Sequence, residues 1–182
     1  MSFERLLEQA ADDPATIVLP EGDDPRVIRA ARRAVDHHIA RPVLLGDYDA
    51  ISQVAAQEKI DLTDLQLVNP ETHDERAALQ SQLHSLREHR GMTEELAATT
   101  ILDRLHYGCM LVKSGLVEGC VAGAVYPTAD VVRTAMQLIG KHPDYGFVSS
   151  FFIMLLQQEF HPVQGAMIFA DCALVVNPDE NQ

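Results

Sequence analysis

The chain is short of several things, and each shortage excludes a class of function. No apolar stretch approaches the roughly 20 residues that a membrane helix needs; the longest, at Phe151 to Leu156, is the size of a strand. The opening Met1-Ser2-Phe3-Glu4-Arg5 lacks the basic-then-apolar layout of a secretory leader, so a cytoplasmic protein is expected. Positive charge is scarce. The net charge is −13 and lysine occurs only at Lys59, Lys113 and Lys141. That balance argues against a nucleic-acid binder, since phosphate backbones are held by clustered cations. It leaves room for small phosphorylated ligands, which need only a few placed arginines. Cysteine is sparse and widely spaced, at Cys109, Cys120 and Cys172. With no CxxC pair, these read as reduced thiols acting as small buried hydrophobes. Eight histidines are scattered without an HExxH or HxxxH pattern, so no metal site is expected.

What is present alternates in type. Thr16-Ile17-Val18-Leu19-Pro20 reads as a strand and Glu21-Gly22-Asp23 as a turn. Asp24-Pro25 opens a helix, with Asp as the N-cap and Pro in the first turn. Val43 to Gly46 is the next strand, Asp49 to Lys59 a helix, and Leu65 to Val68 a third strand. Such βαβαβ alternation predicts parallel strands in a layered α/β sheet. A helical region follows: Thr72 to His89, a piece capped by Thr93, and Leu105 to Ser114. The run Cys120 to Val125 is expected to be a strand, feeding through Tyr126-Pro127-Thr128 into a helix from Ala129 to Ile139. The polar Lys141 to Gly146 segment marks a boundary between a first domain, 1–141, and the start of a second, 142–182. Phe147 to Leu156, Ala166 to Ala170 and Ala173 to Val176 read as strands of that second part. No covering helices follow them, so the second domain is expected to be incomplete.

Four places carry candidate chemistry. In Val121 to Arg133, a glycine permits close approach, Thr128 fits an N-cap, the first helical amides face outward, and Arg133 lies a turn further in. Together these suit an anion, yet the same pattern fits an ordinary capped helix with a surface arginine. Arg87 and Arg90 stand at a helix end, where cations complement the dipole or grip a phosphate. Ser149 and Ser150 are adjacent in an expected strand, so only one of them faces a given cleft. Asp171-Cys172 follows a strand, either at a ligand site or capping a turn.

In this order, these segments resemble the phosphate acetyltransferase family. The resemblance rests on Ile17 to Asp23 with Arg26 and Ala30-Ala31, Pro42 to Gly46, and Leu86-Arg87 through Thr93. Ala122 to Val125 with Thr128, Arg133 and Gln137, then Val148 to Ser150, Asp171-Cys172 and Asn177-Pro178, complete it. It spans nearly the whole chain. It implies a three-layer αβα fold with a mainly parallel sheet, like that of the isocitrate/isopropylmalate dehydrogenases. The implied activity interconverts acetyl-CoA plus phosphate with acetyl phosphate plus CoA, in a homodimer, with no metal or organic cofactor. Arg87 and Arg133 would hold CoA; Thr128, Arg133 and Ser150 would line the acetyl phosphate site. The family's catalytic serine-arginine pair and aspartate fall beyond Gln182, so these residues alone are expected to be inactive. Pro127 departs from the Ser or Thr common in the family, and it has no amide hydrogen to donate. The alternatives are a phosphate butyryltransferase, a non-catalytic acyl-CoA-binding module, or a remnant of a frameshifted gene.

Overall fold

A computed structural model describes residues 3–144, 148–155 and 166–170. Its elements, in chain order, are α1 (Phe3–Asp12), β1 (Ala15–Leu19), α2 (Pro25–Asp36), β2 (Ala40–Leu45), α3 (Tyr48–Glu58), β3 (Gln66–Val68), α4 (Arg76–Arg87), α5 (Glu94–Thr100), α6 (Arg104–Lys113), β4 (Gly119–Cys120), α7 (Thr128–Leu138), β5 (Phe151–Leu155) and β6 (Ala166–Ala170). The first four strands and helices α2 to α7 lie in one compact unit, Ala10–Gly140; the β5–β6 hairpin belongs to another.

In the larger unit the sheet order is β3-β2-β1-β4, and every pairing is parallel. The strands are apolar on both faces because both faces are covered. Leu44 faces one way, packing with Ile28, Ala31, Ile51 and Ala55 of α2 and α3. Its neighbours Val43 and Leu45 face the other way, into a core shared with Leu79, Leu83, Leu105, Tyr107 and Met110. One residue of register thus switches a side chain between two cores. The result is an αβα sandwich with a mainly parallel sheet, as the sequence predicts.

The local signals explain most of the boundaries. Asp24 accepts the Arg26 amide at 2.8 Å and Pro25 starts α2. Thr93 caps α5 through the Leu96 amide at 3.2 Å. Two of the expected boundaries are corrected. The helix expected from Thr72 begins at Arg76, after a hydrogen-bonded turn built on Asn69. The strand expected over Cys120 to Val125 is only Gly119–Cys120, for a reason given below. Helix α1, with Leu6, Leu7 and Ala10 at helical spacing, was not anticipated.

The second unit's β5 and β6 pair antiparallel, Phe151 opposite Ala170 and Leu155 opposite Ala166. Strand β5 begins at Phe151, not Phe147, so Ser149 and Ser150 precede it in irregular structure. Phe151, Phe152, Ile168 and Phe169 are all exposed. Asp171, Cys172 and the strand expected at 173–176 lie outside the described residues.

Candidate ligand site at the reversal of the sheet

The chain builds β1, β2 and β3 outward in one direction, then crosses back to place β4 on the far side of β1. Open parallel sheets bind ligands where strand order reverses, outside the carboxyl ends of the strands. Here that crevice lies beyond Leu19 of β1 and Cys120 of β4.

A side chain of the protein fills it. Glu21, two residues past β1, is 3% exposed and lies within a cradle of backbone amides. One carboxylate oxygen accepts from Gly123 (3.2 Å), Val125 (2.6 Å) and Tyr126 (2.7 Å). The other accepts from Gly123 (3.1 Å) and Ala124 (2.9 Å). Successive N–H groups converging on one anion form a nest, the device many proteins use for phosphate. Gly123 helps to shape it with a φ of +111°, a value that side chains disfavour. This explains the short β4: amides that turn towards Glu21 cannot continue a ladder.

Neighbouring charges brace the nest. Arg26 donates to the Ala124 carbonyl at 2.6 Å while paired with Asp24 at 2.8 Å. Arg104, at the start of α6, pairs with Asp23 at 2.7 Å. Asp103 caps α6 through the His106 amide (3.0 Å), touches His106 Nδ1 (2.6 Å) and accepts from the Tyr126 hydroxyl (3.0 Å). Burial pushes the Glu21 carboxyl up, but the hydrogen bonds from Tyr126, Val125, Ala124 and Gly123 outweigh it and hold it below its ordinary value. Burial likewise opposes ionisation of Asp103, and the His106 and Tyr126 hydrogen bonds win, holding it at about 2. Tyr126 is pushed up to about 12 by burial and by the Asp103 charge.

Both carboxyls are depressed, so their stabilisation is complete above the unfolded-state values of about 4 and is lost as pH falls through the folded ones. Acid should therefore loosen this corner between about pH 4 and about pH 2. Tyr126→Phe removes a donor to Asp103. It should raise the Asp103 pKa and move the acid transition to higher pH, as followed by carboxyl NMR titration; an unmoved transition would count against this bracing.

The sequence-predicted residues are placed unevenly. Thr128 is not the N-cap of α7. That position is Pro127, which makes no side-chain cap bond, and Thr128 is the first helical residue. It is exposed, and its amide and that of Ala129 have no hydrogen-bond partner among the described residues. Arg133 lies one turn on, on the face opposite the Val131, Thr134, Ala135 and Leu138 stripe that packs inward. It pairs with Asp130 at 2.6 Å. Arg87 ends α4, half-buried, and no hydrogen bond joins it to Thr128 or Arg133 among the described residues. Ser150 is half-buried in the other unit. Cys109 and Cys120 are free thiols in contact with each other; that contact and burial push Cys120 well above its ordinary value.

Sequence reasoning missed Glu21, Asp103, Arg104 and Tyr126. An acid just past a strand, followed by glycine, was the available signal for Glu21. For Asp103 it was an Asp three residues before His106 at the start of an apolar helix.

Comparison with known proteins matches this arrangement to one family. The phosphate acetyl/butaryl transferase family model matches residues 1–182. The phosphate acetyltransferase of Acetivibrio thermocellus is 41% identical over 183 residues, covering 100% of this chain and 54% of that protein. That of Paracoccus denitrificans is 42% identical over 180 residues, covering 99% and 53%. Among solved structures, the EutD phosphotransacetylase from Staphylococcus aureus superposes with a TM-score of 0.83 at 31% identity, covering 98% of this chain and 53% of that one. A phosphotransacetylase from Streptococcus pyogenes gives 0.84 at 30%, covering 98% and 54%. The chain thus spans about half the length of the relatives it matches. With a family match along all 182 residues, and an αβα fold shared with solved members, the chain belongs to the phosphate acetyl/butaryl transferase family.

Proposed function

We propose that the chain serves the interconversion of acetyl-CoA plus phosphate with acetyl phosphate plus CoA, as the part that grips phosphate groups. The observation that carries this reading is the family match over residues 1–182, with relatives named phosphate acetyltransferase. Those names favour acetyl over butyryl transfer.

In this reading Thr128, Arg133 and Ser150 line the acetyl phosphate site, and Arg87 and Arg133 hold phosphates of CoA. The geometry is compatible at α7. The amides of Thr128 and Ala129, without a hydrogen-bond partner among the described residues, lie at the positive end of the helix dipole. Pro127 supplies no amide, so the donors begin at Thr128. Arg133 must leave Asp130 to reach a ligand. Both groups are exposed, and an exposed ion pair is worth at most about 1 kcal/mol, so the exchange is easy.

Chemically, the CoA thiolate attacks the acetyl carbon and the bond to the phosphate oxygen breaks. The step needs a base for the thiol and donors for the developing oxyanion. The family resemblance assigns these to an aspartate and a serine-arginine pair beyond Gln182. Residues 1–182 alone are therefore expected to bind ligand without turning it over. No metal or organic cofactor takes part, the functional partner is a second copy of the same protein, and the setting is the cytoplasm.

Arg133→Ala should weaken CoA binding about tenfold, the loss of one charge-assisted hydrogen bond, as measured by calorimetry on the 182-residue chain. Asp130→Asn frees Arg133 and should leave binding equal or tighter. An Arg133→Ala chain that binds CoA as the parent does would remove Arg133 from the site.

A further inference from the structure

Glu21 presents an anomaly that the family reading does not absorb. A carboxylate 3% exposed is an unfavourable occupant of a crevice suited to ligands. It is nonetheless satisfied completely, by five hydrogen bonds from four consecutive residues. Those residues are about a hundred positions away in sequence, and they lead directly through Pro127 into α7.

We propose that Glu21 is a positioning residue: its carboxylate acts as an internal anion that fixes the Gly123–Tyr126 turn, and through it the start of α7 where Thr128 presents its amide. Four amides bound to one rigid anion leave the turn little freedom. The Arg26 guanidinium on the Ala124 carbonyl clamps the same turn from its acceptor side at 2.6 Å. Gly22, immediately after Glu21, donates to the Leu45 carbonyl at 3.2 Å and anchors the carboxylate's own backbone to β2. The amides from Gly123 to Tyr126 are thus unavailable to a ligand, and the donors left for an external phosphate begin at Thr128. A small carboxylate or phosphate would occupy the nest only if Glu21 were absent. The effect on ligand affinity rests on the phosphate-gripping role proposed above for Thr128; the ordering of the turn does not.

The test compares the 182-residue chain with Glu21→Ala and Glu21→Gln. The amide NMR signals of residues 123–128 and the affinity for acetyl phosphate are read with and without excess formate. Glu21→Ala should shift or broaden the signals of Gly123 to Tyr126 and weaken acetyl phosphate at least tenfold, and formate should recover both in part. Glu21→Gln keeps the oxygen that takes three of the five hydrogen bonds and should lose less. If Glu21→Ala does not fold, Glu21→Gln carries the comparison, with the same signals displaced by a smaller amount. Unchanged signals in the variants, or an Ala variant disturbed but deaf to formate, would overturn the proposal, because packing alone is not replaced by a small anion. If the parent chain binds no acetyl phosphate, the functional reading fails, and the amide signals with formate still decide the role of Glu21.

Discussion

Alanine in place of Gly22 should destabilise the Ala10–Gly140 unit by about 3 kcal/mol, the upper range for overpacking a filled site. An added Cβ would lie 2.5 Å from the Leu45 carbonyl oxygen, 3.0 Å from the Leu45 amide nitrogen and 3.1 Å from the Leu44 Cβ. Two of those three atoms are backbone of a central strand, paired with β1 on one side and β3 on the other. They cannot step aside as a flexible side chain would. The strain falls one residue from Glu21, so it should also disturb the turn that Glu21 holds. Urea unfolding measures the first effect, and the amide signals of Gly123 to Tyr126 the second. A Gly22→Ala chain of parental stability would mean that the loop after β1 does not approach β2 as closely as described.

The second large effect belongs to Glu21 itself. Glu21→Ala should cost about 3 kcal/mol. Hydrogen bonds to a charged group contribute about 1.5–3 kcal/mol each, and they are far from additive. Gly123 and Val125 are exposed, so water can enter beside the vacated amides and limits the loss. The fold should survive, since domains of this size carry about 5–15 kcal/mol. The pH dependence separates this effect from simple packing. The Glu21 carboxyl is held below its ordinary value, so it stabilises fully above an unfolded-state value near 4.3 and ceases to do so as acid protonates it. The gap between parent and Glu21→Ala should therefore be widest near neutrality and close as pH falls. A gap independent of pH would show that the carboxylate charge is not what matters.

Most of the framework was legible because its signals are local. Asp24-Pro25 and Thr93 announce helices through side chains that reach only two or three residues ahead. The β-branched run in β1 and the apolar run in β2 announce strands covered on both faces. The turn that holds Glu21 was not legible in the same way. The segment from Val121 to Arg133 reads as suited to an anion and equally as an ordinary capped helix with a surface arginine. Its small apolar residues read as a continuing strand because nothing nearby says where their amides turn. Their partner, Glu21, is more than a hundred residues upstream. The link of Asp103 to Tyr126 was hidden too, since those residues stand in separate elements that only packing brings together. Thr128 was read as a cap on residue type alone. Pro127, whose backbone is already extended (φ −59°, ψ 143°), holds that position instead.

The proposed function rests on phosphate held by Arg87, Thr128, Arg133 and Ser150. The most direct test is a titration of CoA into the purified 182-residue chain, followed by calorimetry, together with an assay for acetyl-CoA formation from acetyl phosphate. The account predicts saturable CoA binding below about 1 mM, the usual upper range for metabolic substrates, and no acetyl-CoA formed. Absence of binding at ten times that concentration would contradict the phosphate-gripping role, and sustained acetyl-CoA formation would contradict the assignment of the catalytic groups beyond Gln182.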